Sequence, residues 1–201
     1  FTHMNKEIFI KKRNGITEKF NADKINKILQ WATEDIKGVG FEEVAMNAHL
    51  SFFDGMTSKD IHVMLIEAAS NLITEDKPNY QFVASRLLNY QLRKNVWGGK
   101  NPPKLHDLVK TNIDALVYDS DILNWYSKQE FDKLDEFLRH DRDFNFDYFG
   151  YKTLEKSYLL KRNNKPAETP QQMYMRVSVG IWRDNLEMVQ KTYDLLSQGL
   201  F

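Results

Sequence analysis

The sequence predicts a mainly α-helical protein: a four-helix bundle capped by a small N-terminal β-hairpin, followed by a second helical unit. Three observations predict this. Apolar residues recur at helical spacing, as in Ile61, Met64, Leu65, Ala68 and Leu72. Clear period-two alternation marks the start of the chain, where Ile8 and Ile10 alternate with Phe9 and Lys11. Gly98-Gly99 followed by Asn101-Pro102-Pro103 then divides one run of helices from the next.

The elements follow in order. Ile8 to Lys11 reads as a half-buried strand, and Arg13-Asn14-Gly15 as a turn, since Asn and Gly tolerate positive φ. Thr17 to Phe20 returns as the second strand. Asn21 or Asp23 caps a first helix with an apolar face of Ile25, Ile28, Leu29, Ala32 and Ile36, ended by Gly38 and Gly40. A second helix is expected from about Glu42 to Phe53, broken by Asp54-Gly55. Thr57-Ser58-Lys59-Asp60 is a capping-box variant opening the third. Pro78 suits the first turn of a fourth, which buries Tyr80, Val83, Ala84, Leu87 and Leu88 and stops at Gly98.

Beyond the linker, Leu105 to Leu116, Ile122 to Tyr126 and Phe131 to Leu138 read as helices, the last two separated by Ser127. Asp141-Arg142-Asp143 precedes an aromatic run, Phe144, Phe146, Tyr148, Phe149 and Tyr151, expected to be core. Tyr158 to Lys165 suggests a small hairpin. Pro170 and Asn185 start the last two helices. The expected division is 1–5 as residues carried over from cloning, 6–98 as the first unit and 99–201 as the second.

Composition excludes several functions. Lys plus Arg equals Asp plus Glu at 28 each, so no bulk charge favours nucleic acid or an anionic membrane. There is no cysteine, hence no disulfide, thiolate metal site, thiol nucleophile or thiyl radical within this chain. No apolar run reaches the roughly 18 residues of a membrane span. A cytoplasmic protein is the default expectation. His49, His62, His106 and His140 share no ligand spacing, so no metal site is predicted.

Local charge is more informative. Lys11, Lys12, Arg13, Lys19, Lys24 and Lys27 crowd the hairpin and the first helix start, with Glu18 and Asp23 among them. Lysines on strand edges ordinarily keep those edges soluble, and composition alone favours that reading. Yet Lys24 lies one turn into a helix whose start offers backbone N–H groups to an anion. In an up-down bundle, helices one and three start where helix four ends. Topology therefore offers Ser58, His62 and Lys94 as neighbours of the hairpin.

These residues carry a family resemblance. Lys12-Arg13-Asn14-Gly15, Phe20 to Ile25, Asp54 to His62, Pro78-Asn79-Tyr80 and Leu92-Arg93-Lys94 resemble the ATP-cone, a nucleotide-sensing domain at the N-terminus of many ribonucleotide reductases. His140 to Asp143 with Tyr148 to Glu155, and Glu168 to Gln171 with Met175 to Gly180, resemble the class I reductase large (α) subunit. The resemblance spans essentially Glu7 to Phe201. It implies an ATP-cone followed by the N-terminal helical region of the catalytic domain, without its barrel.

The resemblance also implies roles. Lys12, Arg13, Lys24 and Lys94 would bind the phosphates of ATP or dATP, with Mg²⁺ accompanying them, and Glu18 would contact the sugar or base. Ile10, Phe20, Ile25, Phe52 and Ile61 would line the adenine and ribose pocket; Ser58 and His62 would border it. ATP would switch ribonucleoside-diphosphate reduction on, and dATP would switch it off through an altered oligomer formed by the cone. The partners implied are the remainder of the α subunit and a radical-generating β subunit. The family's catalytic cysteines match nothing here, so the chain is expected to be inactive alone, as a fragment or a split-gene subunit. One alternative is a subunit whose residues 103–201 dock a separately encoded barrel; another is a free-standing nucleotide-responsive regulator.

Overall fold

The computed structural model describes residues 8–12 and 14–199. The expectations for residues 1–5 and for Arg13 lie outside the described residues. By internal packing the chain separates into two compact units. One holds the residues up to Leu88 with Asp147–Phe149; the other holds Asn89–Phe146 and the residues from Gly150 onward.

The first unit opens with an antiparallel hairpin, β1 (Phe9–Lys11) and β2 (Thr17–Lys19), in the register Phe9 to Lys19, Ile10 to Glu18 and Lys11 to Thr17. Alternation sends Ile10 inward at 7% exposure and leaves Phe9 at 41%. Helices α1 (Ala22–Thr33), α2 (Phe41–His49) and α3 (Ser58–Asn71) follow, and α4 (Tyr80–Trp97) begins here. Leu29, Ala32, Val44, Leu65, Ala69, Tyr80 and Val83 are almost wholly buried. Burying an aliphatic side chain of this size stabilises by about 1.5–3 kcal/mol before entropy is counted.

Two helices of the first unit end earlier than their sequences suggest. The last residue of α1 is Thr33, not the turn before Gly38. The Thr33 hydroxyl donates back to the Leu29 carbonyl at 2.8 Å, and Asp35 takes φ +59, which ends the helix. Ile36, expected on the α1 face, lies beyond it. Likewise α2 stops at His49 and not at Phe53. The chain after it is drawn to the hairpin: Gly55 N–H donates to the Phe9 carbonyl at 2.9 Å, and Lys11 N–H to the Met56 carbonyl at 3.0 Å. A continued helix would forfeit both bonds.

The second unit contains the rest of α4, then α5 (Leu105–Asp114), α6 (Ile122–Trp125), α7 (Lys128–Phe137) and a 3₁₀ turn over His140–Asn145. In helix α8 (Tyr148–Ser157), Tyr148 and Phe149 belong to the first unit and the residues from Gly150 to the second. A two-stranded hairpin, β3 (Lys161–Arg162) and β4 (Lys165–Pro166), precedes α9 (Pro170–Trp182) and α10 (Leu186–Ser197). Helices α9 and α10 pack on each other and, with α5 and α7, enclose Val109, Phe131, Leu134, Met175, Val189 and Tyr193. Of the aromatic run only Tyr151 is fully buried, and Phe149 stands 61% exposed, so the run is not a continuous core element. Among the described residues no helix is long and apolar enough to cross a membrane.

Candidate effector site at the N-terminal hairpin

Local chemistry builds the hairpin end of the first unit. Gly15 adopts φ +83, which only glycine takes without strain, and its N–H donates to the Lys12 carbonyl at 2.9 Å. The Asn14 side chain accepts from Ile16 N–H at 3.1 Å. Lys12 N–H closes the turn on the Ile16 carbonyl at 2.8 Å. These bonds bring Lys12 back toward β2.

Glu18 then gathers two cations. Lys12 Nζ lies 2.9 Å from Glu18 Oε2, and Lys24 Nζ lies 3.7 Å from Oε1. The hydrogen bond from Lys12, helped by the charges of both lysines, holds the Glu18 carboxyl below its ordinary range. All three side chains are at least 36% exposed, so the cluster contributes little to stability. It remains open to solvent and to an anion. Lys24 stands in the first turn of α1, whose Asn21 cap accepts from Asp23 N–H at 3.0 Å.

The hairpin is also bonded to the start of α3. Lys11 pairs with Thr57 in a parallel bridge, and Asp54 Oδ1 accepts from Phe9 N–H at 2.9 Å. Thr57 caps α3 in a complete capping box. Asp60 N–H donates to the Thr57 hydroxyl at 3.1 Å, and Thr57 N–H donates to the Asp60 carboxylate at 3.0 Å. That backbone bond is the main cause of a lowered Asp60 carboxyl. Ser58, the first residue of α3, and His62, one turn on, are both half-buried.

The apolar candidates divide between core and rim. Ile10, Ile25 and Ile61 are buried at 7%, 8% and 6% exposure. Phe20 and Phe52 are half-buried and meet edge to face, with centroids 5.4 Å apart; His49 packs on Phe52 at 5.6 Å. Thus Lys12 and Lys24 each pair with Glu18, and Phe20 meets Phe52. Lys94 lies on the part of α4 that belongs to the second unit, its Nζ 4.7 Å from the centroid of the Tyr90 ring. Sequence reasoning missed Asp54, Met56 and Thr57 as anchors of the hairpin. Their signal, Asp54-Gly55 before a capping box, was present but reads equally well as a plain helix break. Among the described residues no group of three or more acidic or histidine side chains is placed to hold a metal ion.

Residues 8–95 match the ATP cone domain, and residues 144–201 match the all-alpha domain of ribonucleotide reductase. Ribonucleoside-diphosphate reductase 1 subunit alpha of Escherichia coli is 36% identical over 201 residues, covering 96% of this chain and 26% of that protein. The subunit alpha of Buchnera aphidicola from Acyrthosiphon pisum is 38% identical over 94% of this chain and 25% of its own length. That of Enterobacteria phage T4 is 34% identical over 92% of this chain and 25% of its own. The chain therefore spans about a quarter of the length of the curated relatives it matches.

Proposed function

This chain belongs with the N-terminal regions of ribonucleotide reductase α subunits, and from that premise we propose that its first unit binds ATP and dATP as allosteric effectors. The observation that carries the reading is the Lys12–Glu18–Lys24 cluster beside the start of α1, on a hairpin bonded to the capped start of α3. Two lysines sharing one carboxylate are a poised anion site: a triphosphate displaces a weak surface ion pair and gains charge-assisted bonds.

In this proposal Lys12, Lys24, Arg13 and Lys94 take the phosphates. Glu18 reads the sugar or base, and Ile10, Phe20, Ile25, Phe52 and Ile61 form the apolar wall beside Ser58 and His62. Mg²⁺ arrives with the triphosphate. ATP and dATP act oppositely, on and off, by stabilising different assemblies of the reductase; each shifts the equilibrium only by its differential affinity for the two. The reduction itself uses cysteines this chain does not hold. They would come from the remainder of the α subunit, acting with a radical-generating β subunit in the cytoplasm.

Calorimetric titration of the folded chain with ATP and with dATP tests the effector reading. Saturable heat with both supports it, and no heat with either sinks it.

A further inference from the structure

The second half of α4 carries Asn89, Arg93 and Trp97 at four-residue spacing, hence along one face. Tyr151 Oη donates to Asn89 Oδ1 at 2.6 Å. Arg93 Nη2 donates to the His140 carbonyl at 2.8 Å. The Arg93 guanidinium lies 4.8 Å from the Trp97 ring centroid and 4.7 Å from that of Phe144, and the Trp97 and His140 rings meet edge to face at 5.0 Å. On the same 3₁₀ turn Asp143 is fully buried. Its Oδ1 accepts from Gln171 Nε2 at 3.0 Å; Gln171 Oε1 accepts from Tyr193 Oη at 2.6 Å; Tyr193 Oη accepts from Arg139 N–H at 2.9 Å.

This clasp is incompletely paired. Asn89 Nδ2, Arg93 Nε, Trp97 Nε1, His140 Nδ1 and Asp143 Oδ2 are buried with no hydrogen-bond partner among the described residues. Buried polar atoms without partners are costly, and native proteins carry few of them. Here several occur together on the α4 face and the 3₁₀ turn against it. Asn89 Nδ2, Arg93 Nε and Trp97 Nε1 only donate; an ionised Asp143 Oδ2 only accepts. A mixed set of this kind is what internal water satisfies, since one molecule bridges two to four polar groups.

We propose that these side chains enclose internal water completing the clasp on the second half of α4, and that the Asp143 carboxyl is the group whose protonation state the clasp depends on. Burial pushes that carboxyl up to about 7, against the pull of its Gln171 hydrogen bonds and the Arg93 charge; Asp141 pushes it further up. Burial and the Arg93 charge press His140 down to about 4, against a smaller opposing pull from Asp141. Tyr151, Tyr174 and Tyr193, facing Asp143 from α8, α9 and α10, are held above their ordinary values, chiefly by burial, and stay neutral. Arg142, on the same turn, faces α10 and pairs with Asp194 at 3.3 Å.

The two titrations have opposite signs. The Asp143 value is raised from 3.8, so the folded state holds a proton that the unfolded state releases. Its contribution is full below 3.8 and is lost as pH rises through about 7. His140, lowered from 6.5, costs stability as pH falls through about 4. A comparison with Asp143→Asn cancels the His140 effect and isolates the carboxyl. The amide keeps the shape and the acceptor for Gln171.

Melting temperatures of both proteins across pH 4 to 9 make the test, together with a crystal structure of the unsubstituted chain. The expected result is an advantage of the variant that grows as pH rises toward about 7 and then levels off. Ordered water within hydrogen-bond distance of Asp143 Oδ2 and Arg93 Nε is expected in the crystal. A difference independent of pH overturns the proton assignment; a dry cluster whose orphan atoms pair directly with one another overturns the water. If the variant does not fold, carboxyl carbon NMR of the unsubstituted chain decides the proton assignment. An aspartate titrating near neutrality supports it, and no carboxyl titrating above the ordinary range overturns it.

Discussion

The Lys12 ammonium faces the Glu18 carboxylate across the N-terminal hairpin at 2.9 Å, and Glu18 also draws Lys24 from the first turn of α1. One carboxylate therefore holds two cations belonging to different elements. The hairpin and the helix start are thereby joined through one exposed carboxylate.

Replacing Glu18 by Gln removes the competitor for both lysines while keeping the side chain's length. Inorganic tripolyphosphate is then expected to bind more tightly, whereas the ratio of ATP to dATP affinity moves toward one if Glu18 reads the sugar. Calorimetry with the three ligands measures both effects. An unchanged ATP to dATP ratio would remove Glu18 from sugar recognition.

Lys12→Ala and Lys24→Ala each delete one charge-assisted phosphate contact. Each is expected to weaken ATP binding by about 1.5–3 kcal/mol, roughly 10- to 150-fold, with little change in melting temperature because the ion pairs are exposed. Wild-type affinity in both variants would place the nucleotide elsewhere.

Thr57→Ala breaks the capping box at the start of α3 and leaves the Asp60 backbone N–H without its side-chain acceptor. The expected loss is about 1 kcal/mol of stability, measured by urea unfolding. Thr57 also pairs with Lys11, so nucleotide affinity should fall with it. A stable variant with normal binding would show that the α3 cap does not position the hairpin.

In the second unit, Glu168 is fully buried, receiving both Nε and Nη2 of Arg176 within 3.1 Å, the Leu160 N–H at 3.1 Å and the Tyr118 hydroxyl. Glu168→Ala strands these donors. A destabilisation of about 3–5 kcal/mol is expected from breaking such a buried pair, read as a lower urea midpoint at unchanged slope. A loss under about 1 kcal/mol would mean that water or a rearranged Arg176 replaces the carboxylate.

The local features of this chain were legible because their causes lie within a few residues. Asn14-Gly15 makes the hairpin turn, Thr57 and Asp60 close a capping box, and Gly98 ends α4 at φ +72, each through chemistry its neighbours supply. Helical spacing likewise located the buried faces of α3 and α4. The same pattern could not locate the ends of α1 and α2. Those depend on Asp35 entering the left-handed region and on β1 capturing the Asp54–Thr57 segment.

By itself, then, the sequence determined the mainly helical class, the hairpin at its head, the caps and the family. The tertiary structure alone decided that Glu18 is shared between Lys12 and Lys24, that Phe149 faces solvent, and that Asp143 is sealed beside Arg93 and Gln171. The physical reason is range. Turn and cap bonds close between near neighbours in the chain, whereas the surroundings of a buried carboxyl are assembled from residues far apart in it. Asp143 and Gln171 read as ordinary polar residues until α9 brings one against the other.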